Sequence, residues 1–381
     1  MSVIKGSRGA LSSAMQRTKR VITTNNSVSL FLTLAIYAAL LVSVNHGEVG
    51  RDGMPVLVGA RQILLGENPY APEQQQVIRS LFDAPGVTRC GEGSCASIGL
   101  VYPATSLLVA LPFAAIPIAI ESALLGYTLF GLALILIGAR LNNIPYLLLA
   151  IFVPVTHGFG VANVLIVATG LLLVATKIPD GWLKALALIA AVAIKPHSTI
   201  LISAFLALPM LKHRTGWLQI GVPSVALLLL AEVALPGWWS DWISQMQLYR
   251  EVETFGNQSV AHFWWLVPVA GLLWHRGHGL ASAVLAQVLL VPAIALPCGF
   301  ATLALALVGL ERNRVDVAVF GMMWGVIGMI WFMAGVAAGV SAQVATLAAI
   351  VLPILIYWMI QTYPRRADTK EVSQWMTRFF P

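Results

Sequence analysis

The chain is poor in charged residues, and this scarcity is its most informative property. Charged side chains make up 10% of the 381 residues, whereas hydrophobic side chains make up 58%. A soluble domain usually carries about 25% charged residues. No polar tract is long enough to form a separate soluble domain. Apolar runs of bilayer-spanning length recur from Ser27 onwards, and each run predicts a transmembrane helix, because a helix satisfies its backbone hydrogen bonds internally.

Cysteines and the motifs of soluble enzymes are also scarce. Of the three cysteines, Cys90 and Cys95 share a polar loop, and Cys298 lies in an apolar run. In an oxidising compartment, Cys90 and Cys95 would close a small disulfide ring. Two cysteines without partners are too few for a zinc site, so we do not expect a metal; no other cofactor is expected either. A P-loop, a G-x-S-x-G motif and an H-E-x-x-H motif are all absent from the sequence.

The net charge of +7 is concentrated at the two ends of the chain. Residues 1–26 contain five basic residues and no acid, and basic residues also follow residue 361. The positive-inside rule places both ends in the cytoplasm, an interpretation we favour over nucleic-acid binding. We therefore predict a basic cytoplasmic N-terminus over 1–26, one transmembrane domain over 27–361 and a cytoplasmic tail over 362–381. The predicted setting is a bacterial-type cytoplasmic (inner) membrane.

The apolar pattern predicts an all-α polytopic membrane protein with about twelve transmembrane helices. Outer loops are expected near 45–99, which includes an interfacial helix over 54–65, and near 236–261. The predicted apolar segments are 28–44, 101–118, 121–139, 144–156, 161–176, 182–194, 198–211, 217–235, 262–274, 279–296, 298–310, 316–336 and 341–360. These thirteen segments cannot all cross if both ends are cytoplasmic. One segment between Tyr102 and Arg140 must be a half-span or be broken at a proline.

Two polar side chains on the predicted outer face are candidates for chemistry. Asp52 follows the first helix, where a carboxylate could act as a general base on a hydroxyl group. The alternative is a solvated loop acid paired with Arg51. Lys195 ends a short apolar helix and precedes Pro196 and His197, and its ammonium group suits a phosphate. The alternative for Lys195 is snorkelling to the membrane interface.

Further polar residues are expected at the same face. Asn163 follows a glycine-rich turn, and Asn257 and Gln258 end the second outer loop. Arg61, on the interfacial helix, would make either a second phosphate contact or a contact with lipid headgroups. Each residue alone is ordinary turn or interface chemistry. Together with Asp52 and Lys195, they predict a polar pocket at the outer face.

The order of motifs resembles glycosyltransferase family 87, the polyprenol-phosphate-mannose-dependent mannosyltransferases of the GT-C superfamily. An acid after the first helix is followed by Ala60-Arg61-Gln62-Ile63-Leu64-Leu65-Gly66-Glu67-Asn68-Pro69-Tyr70, then by Tyr102-Pro103, the turn at 160–163, Lys195-Pro196 and Asn257-Gln258-Ser259. The resemblance covers roughly residues 50–259. Ala104 and Val161 depart from the family pattern, and residues 290–299 lack the histidine that the family often has in a late span.

The resemblance implies a GT-C-type fold and a polyprenyl-phosphate-linked sugar donor, with mannose or a similar sugar. It implies that Asp52 is the base, and that transfer occurs to a hydroxyl of a glycan or glycolipid acceptor on the periplasmic or extracellular side. The motif positions that would hold the donor are Lys195, Asn163, Arg61, Tyr102, Asn257 and Gln258, with His197 or His262 in place of the absent histidine. Two alternatives stay open: a secondary transporter or lipid-linked-sugar flippase, and a non-enzymatic assembly subunit.

Overall fold

The computed structural model describes residues 27–44, 53–80, 100–252, 266–275, 277–288 and 297–308. All regular secondary structure in these ranges is helical, which confirms the prediction of an all-α protein. The α-helices are α1 (Ser27–Val44), α2 (Met54–Leu64), α3 (Pro72–Ser80), α4 (Ala104–Ala114), α5 (Ile120–Leu141), α6 (Tyr146–Ile151), α7 (Val153–Gly160), α8 (Leu165–Ala175), α9 (Trp182–Ile194), α10 (Pro196–Leu211), α11 (Arg214–Ala234), α12 (Trp238–Val252), α13 (Leu266–His275) and α14 (Gly279–Val288), and a 3₁₀ helix spans Pro297–Leu307.

Uninterrupted apolar runs became helices at the predicted positions. The helices α1, α5 and α9 match the predicted segments 28–44, 121–139 and 182–194 within two residues at each end. The prediction of one continuous segment over 144–156 is wrong, because these residues form α6 and the start of α7. Phe152 between them has an extended backbone, and Pro154 has no N–H group with which to continue α6.

Of the two segments between Tyr102 and Arg140, the first forms a short helix, α4. This helix has 11 residues, which rise about 17 Å, and Pro112 lies inside its last turn. Pro117 follows in the connection to α5, whose 22 residues rise about 33 Å. A hydrocarbon core is about 30 Å thick, so α5 has the length of a full crossing and α4 does not. The first of the two segments between Tyr102 and Arg140 is therefore the short one.

Two helices in the described residues, α5 and α11, are long and apolar enough to cross a membrane. Helix α11 buries little of its surface, and Trp217, Leu229 and Val233 are 63%, 61% and 78% exposed. An apolar surface of this extent is normally covered by lipid or by other protein. The other predicted spans within the described ranges correspond to shorter helices, and those at 316–336 and 341–360 lie outside the described ranges.

Helices α5 and α8 form the tightest contact between elements in the core. A Cβ atom added at Gly138 would lie 2.5 Å from Leu173 Cβ, and one added at Gly170 would lie 2.6 Å from Leu134 Cβ. Only glycine permits the two backbones to approach this closely. Helix α9 packs on the other side of α8, and α2 and α4 pack beside them. This group of helices carries most of the candidate site residues.

Candidate functional site

Helices α8 and α9 bring Asn163 and Lys195 to the same end of a helix pair. The two helices pack against each other and are joined by the short connection 176–181, so they run antiparallel. Asn163 lies just before the start of α8, and Lys195 lies just after the end of α9. We refer to this end of the pair, defined by residues 162–164 and 193–197, as the upper end.

The start of α2 also lies at the upper end. Gly53 is buried, and a Cβ atom added to it would lie 2.6 Å from Ala162 O and 2.8 Å from Leu124 Cδ1. The backbone at Gly53 is therefore in direct contact with the turn that carries Asn163. Asp52, the predicted base, lies outside the described residues, and Gly53 is its neighbour in the chain.

The start of α4 reaches the upper end as well. The buried Thr105 hydroxyl donates a 3.3 Å hydrogen bond to Ala193 O, two residues before Lys195. Tyr102, half-buried, precedes this helix, and its carbonyl oxygen accepts a 2.7 Å hydrogen bond from the Tyr70 hydroxyl. Two motifs of the resemblance, residues 66–70 and Tyr102-Pro103, are thus joined by a direct hydrogen bond.

Lys195 is the residue at which the chain passes from α9 into α10. Its backbone, at φ −154° and ψ 80°, is extended and interrupts the two helices, and Pro196 is the first residue of α10. The Thr199 hydroxyl lies 2.9 Å from Lys195 O and 3.1 Å from Ala191 O, so it covers carbonyls on both sides of the break. The half-buried Lys195 and His197 therefore sit in a defined turn, with the ammonium charge within electrostatic range of the imidazole.

The Gln287 side chain supports the first turn of α10. Its amide nitrogen donates a 2.7 Å hydrogen bond to His197 O, and its amide oxygen accepts a 2.7 Å hydrogen bond from Leu201 N. Gln287 is only 1% exposed, on helix α14. Both hydrogen-bonding ends of this buried amide are thus used on one turn of a neighbouring helix.

Asn163 has a structural role at the start of α8. Its side chain is 6% exposed, and its Oδ1 atom accepts a 2.9 Å hydrogen bond from Leu165 N. Such a contact satisfies one of the backbone N–H groups that the first turn of a helix leaves unpaired. The preceding Ala162 has a φ of +53°, which is unusual for a residue other than glycine. The turn is therefore held in one conformation at the upper end.

Arg61 contacts backbone carbonyl groups at the C-terminal end of α4. Its guanidinium donates hydrogen bonds to Ala114 O (3.2 Å), Ile116 O (3.2 Å) and Ile118 O (2.8 Å). These are carbonyls that the end of α4 and the turn after it leave available. The structure gives Arg61 this capping role, at the end of α4 opposite to Thr105.

The two predicted outer loops contact each other. Asn68 Nδ2 donates a 3.1 Å hydrogen bond to Asp241 Oδ2, and Trp242 Nε1 donates a 3.0 Å hydrogen bond to Val101 O. Burial of the Tyr70 side chain, together with the nearby Asp241 carboxylate, raises the pKa of Tyr70. The predicted second outer loop, 236–261, contains the helix α12 over 238–252, which was not predicted from the sequence.

Several predicted residues cannot be placed. Asn257, Gln258 and His262 lie outside the described residues, as do Cys90 and Cys95 of the predicted disulfide. Within the described ranges, no group of three or more His, Cys, Asp or Glu side chains is arranged to hold a metal ion.

Sequence reasoning missed Gln287, Thr105 and Asp241. Gln287 had a usable signal, because an amide inside an apolar run is costly to bury without partners. Asp241 follows two tryptophans in a stretch that alternates polar and aromatic residues, which is consistent with an amphipathic helix. Thr105 gave no signal, because its importance depends on which carbonyl group lies opposite.

Comparison with known proteins returned no relatives: no protein-family model, no curated protein and no solved structure matches this chain.

Proposed function

We propose that this protein is a polytopic inner-membrane glycosyltransferase with its active site on the outer face. It would transfer mannose or a similar sugar from a polyprenyl-phosphate donor to a hydroxyl group of a glycan or glycolipid acceptor. The supporting observation is that Gly53, Ala162 and Ala193 lie at one end of the α8–α9 pair. Gly53 and Ala162 are the chain neighbours of Asp52 and Asn163, and Ala193 lies two residues before Lys195, so the observation concerns three candidates that are far apart in the sequence.

In the proposed reaction, the Asp52 carboxylate removes the proton from the acceptor hydroxyl. The acceptor oxygen then attacks the anomeric carbon, and the bond from that carbon to the phosphate oxygen breaks with inversion of configuration. The electron pair leaves on the polyprenyl phosphate, where the Lys195 ammonium stabilises the developing charge. The fixed turn around Lys195 supports this role, because a preorganised charge is more effective than a mobile one.

The Lys195 turn also favours an anionic ligand through the start of α10. Helix α10 begins at Pro196, and no side chain caps its N-terminus. Helix α4, which begins at Ala104 after Pro103, also has no side-chain cap. A helix N-terminus carries a partial positive charge that favours a phosphate group. Lys195 would thus bind the donor phosphate beside the start of α10, with His197 in the same turn.

The test is an assay of purified protein with a panel of radiolabelled polyprenyl-phospho-sugars. We expect transfer with at least one donor, and we expect Asp52→Asn to lower it by about 10²-fold or more without loss of folding or donor binding. The matched control is Glu73→Gln, which removes an exposed acid from the first turn of α3. Retained turnover in Asp52→Asn would eliminate the proposed base, and solute counter-transport in proteoliposomes without transfer would favour a transporter.

A further inference from the structure

Within the described residues, the buried Gln287 side chain makes two hydrogen bonds to α10 that the proposed reaction does not itself use. An α-helix pairs the N–H group of residue i with the carbonyl of residue i−4, so Leu201 N–H and His197 C=O are ordinary partners. Here the Gln287 amide donates to the carbonyl and accepts from the N–H, both at 2.7 Å. A side chain placed across a helix ladder fixes the local bend of the helix.

The chemistry of this contact suits a glutamine. Its planar amide offers a strong donor and a strong acceptor at every ordinary pH, whereas a glutamate of the same length offers a donor only when protonated, and asparagine is one methylene shorter. Burying such a group in an apolar environment is unfavourable unless both ends are paired. Gln287 is 1% exposed and stands among the apolar residues of α14, so its two bonds account for its presence there.

The turn that Gln287 holds is the one that carries the proposed phosphate ligands. His197 is bonded directly through its carbonyl group, and Lys195 lies two residues before it. From the other side, Thr199 contacts the Lys195 carbonyl at 2.9 Å. We propose that Gln287 is a positioning residue that fixes the Lys195–His197 turn against the donor phosphate, a role that rests on the proposed transfer reaction.

Three variants separate positioning from general structure. Gln287→Met keeps the length of the side chain and removes both hydrogen bonds. Gln287→Glu keeps the acceptor and regains the donor when its carboxyl is protonated. Ser282→Ala is the matched control on the same helix, because the buried Ser282 hydroxyl donates a 2.7 Å hydrogen bond to Ala270 O, which belongs to α13 and not to α10.

The first measurement does not depend on transfer. The acylation rate of Lys195 by acetic anhydride is followed by mass spectrometry over a pH series, in wild-type protein and in the three variants. We expect the profile to shift in Gln287→Met and to be unchanged in Ser282→Ala. An unchanged profile in a folded Gln287→Met protein would overturn the inference, whether or not the protein is a glycosyltransferase.

The second measurement is transfer from radiolabelled polyprenyl-phospho-mannose. We expect Gln287→Met to lower kcat by about 10- to 100-fold with little change in the KM for the acceptor. For Gln287→Glu, the ratio of its kcat to the wild-type kcat, measured at each pH, should rise as the pH is lowered, because the introduced carboxyl then takes up its proton. If Gln287→Met does not fold, this recovery decides the question alone. A wild-type kcat in Gln287→Met, or an equal loss in Ser282→Ala, would overturn the inference.

Discussion

The side chains of Asn68 and Asp241 are hydrogen-bonded at 3.1 Å, although 173 residues of chain separate them. Asn68 belongs to the motif at 66–70, and Asp241 lies in the first turn of α12. Beside this bond, Trp242 is anchored to the carbonyl group that precedes Tyr102. The position of α12 is therefore tied to two motifs of the candidate site.

We predict that Trp242→Phe destabilises the protein and Trp239→Phe does not. Phenylalanine cannot donate the hydrogen bond to Val101 O, which should cost about 1 kcal/mol, with a further loss of packing. Trp239 is 54% exposed, so its replacement should stay within about 0.5 kcal/mol. Thermal melting of the two purified variants in the same detergent measures the difference. Equal melting temperatures would contradict the anchoring role of Trp242.

We predict that Gly53→Ala disturbs the site as well as the fold. The new Cβ atom would overlap Ala162 O, a backbone atom that cannot rotate away, so the start of α2 must move. Donor turnover should fall, and the melting temperature should also decrease. Gly221→Ala is the control, because a Cβ atom there meets nothing within 4 Å. Alanine in place of glycine inside α11 should be neutral or slightly stabilising. A Gly53→Ala protein with wild-type turnover would show that the start of α2 is not part of the site.

We predict that Arg61→Lys destabilises the C-terminal end of α4. A lysine ammonium cannot reproduce the planar arrangement that reaches the three carbonyls at 114, 116 and 118. The loss should be about 1 kcal/mol, because the carbonyl of the buried Ala114 loses its guanidinium donor, whereas Ile116 O keeps its hydrogen bond from Ile118 N. Arg140→Lys, on an exposed side chain near the end of α5, is the control. Chemical or thermal unfolding measures both variants. A loss of transfer in Arg61→Lys without any change in stability would instead indicate a direct donor contact.

We predict an alkaline loss of stability that depends on Tyr70. Burial and the Asp241 carboxylate hold the pKa of Tyr70 above its usual value, so the folded protein keeps the phenolic proton that donates to Tyr102 O. The unfolded chain releases this proton above about pH 10. The stabilisation is therefore fully present below that pH and is lost progressively above it.

The measurement for Tyr70 is the melting temperature from pH 8 to pH 11. Tyr70→Phe should be less stable than wild-type protein at pH 8, because it lacks the hydrogen bond to Tyr102 O. The difference between the two proteins should become smaller above about pH 10. A constant difference across the whole range would show that the Tyr70 proton is not linked to folding.

Much of the fold could be predicted because a long apolar run has few secondary structures available to it. An uninterrupted run such as 182–194 must satisfy its backbone internally, and it became α9 with those bounds. Charge and proline positions predicted that one segment between Tyr102 and Arg140 would be short or broken, although the sequence did not decide which, and α4 has only 11 residues. Helix α4 ends at Ala114. Pro117 has no N–H group with which to extend it, and Arg61 binds carbonyl groups in the turn that follows.

The site was less accessible to prediction, because its contacts join residues that are distant in the sequence. The motif order suggested that Asn163 and Lys195 face the same side, and the antiparallel α8–α9 pair places them at one end. No sequence pattern indicated that Gln287 would lie against His197, since that depends on how α14 packs on α10. Helix α12 was missed because its mixed aromatic and polar residues have low mean hydropathy.

The glycine contacts between α5 and α8 have a consequence for the order in which the protein opens. With backbones touching at Gly138 and Gly170, neither helix can loosen without separating the other from its neighbours. Amide protons in this pair should exchange with deuterium only in the rarest openings of the molecule. The part of the protein that holds the turn at Asn163 is thus expected to be the last to open.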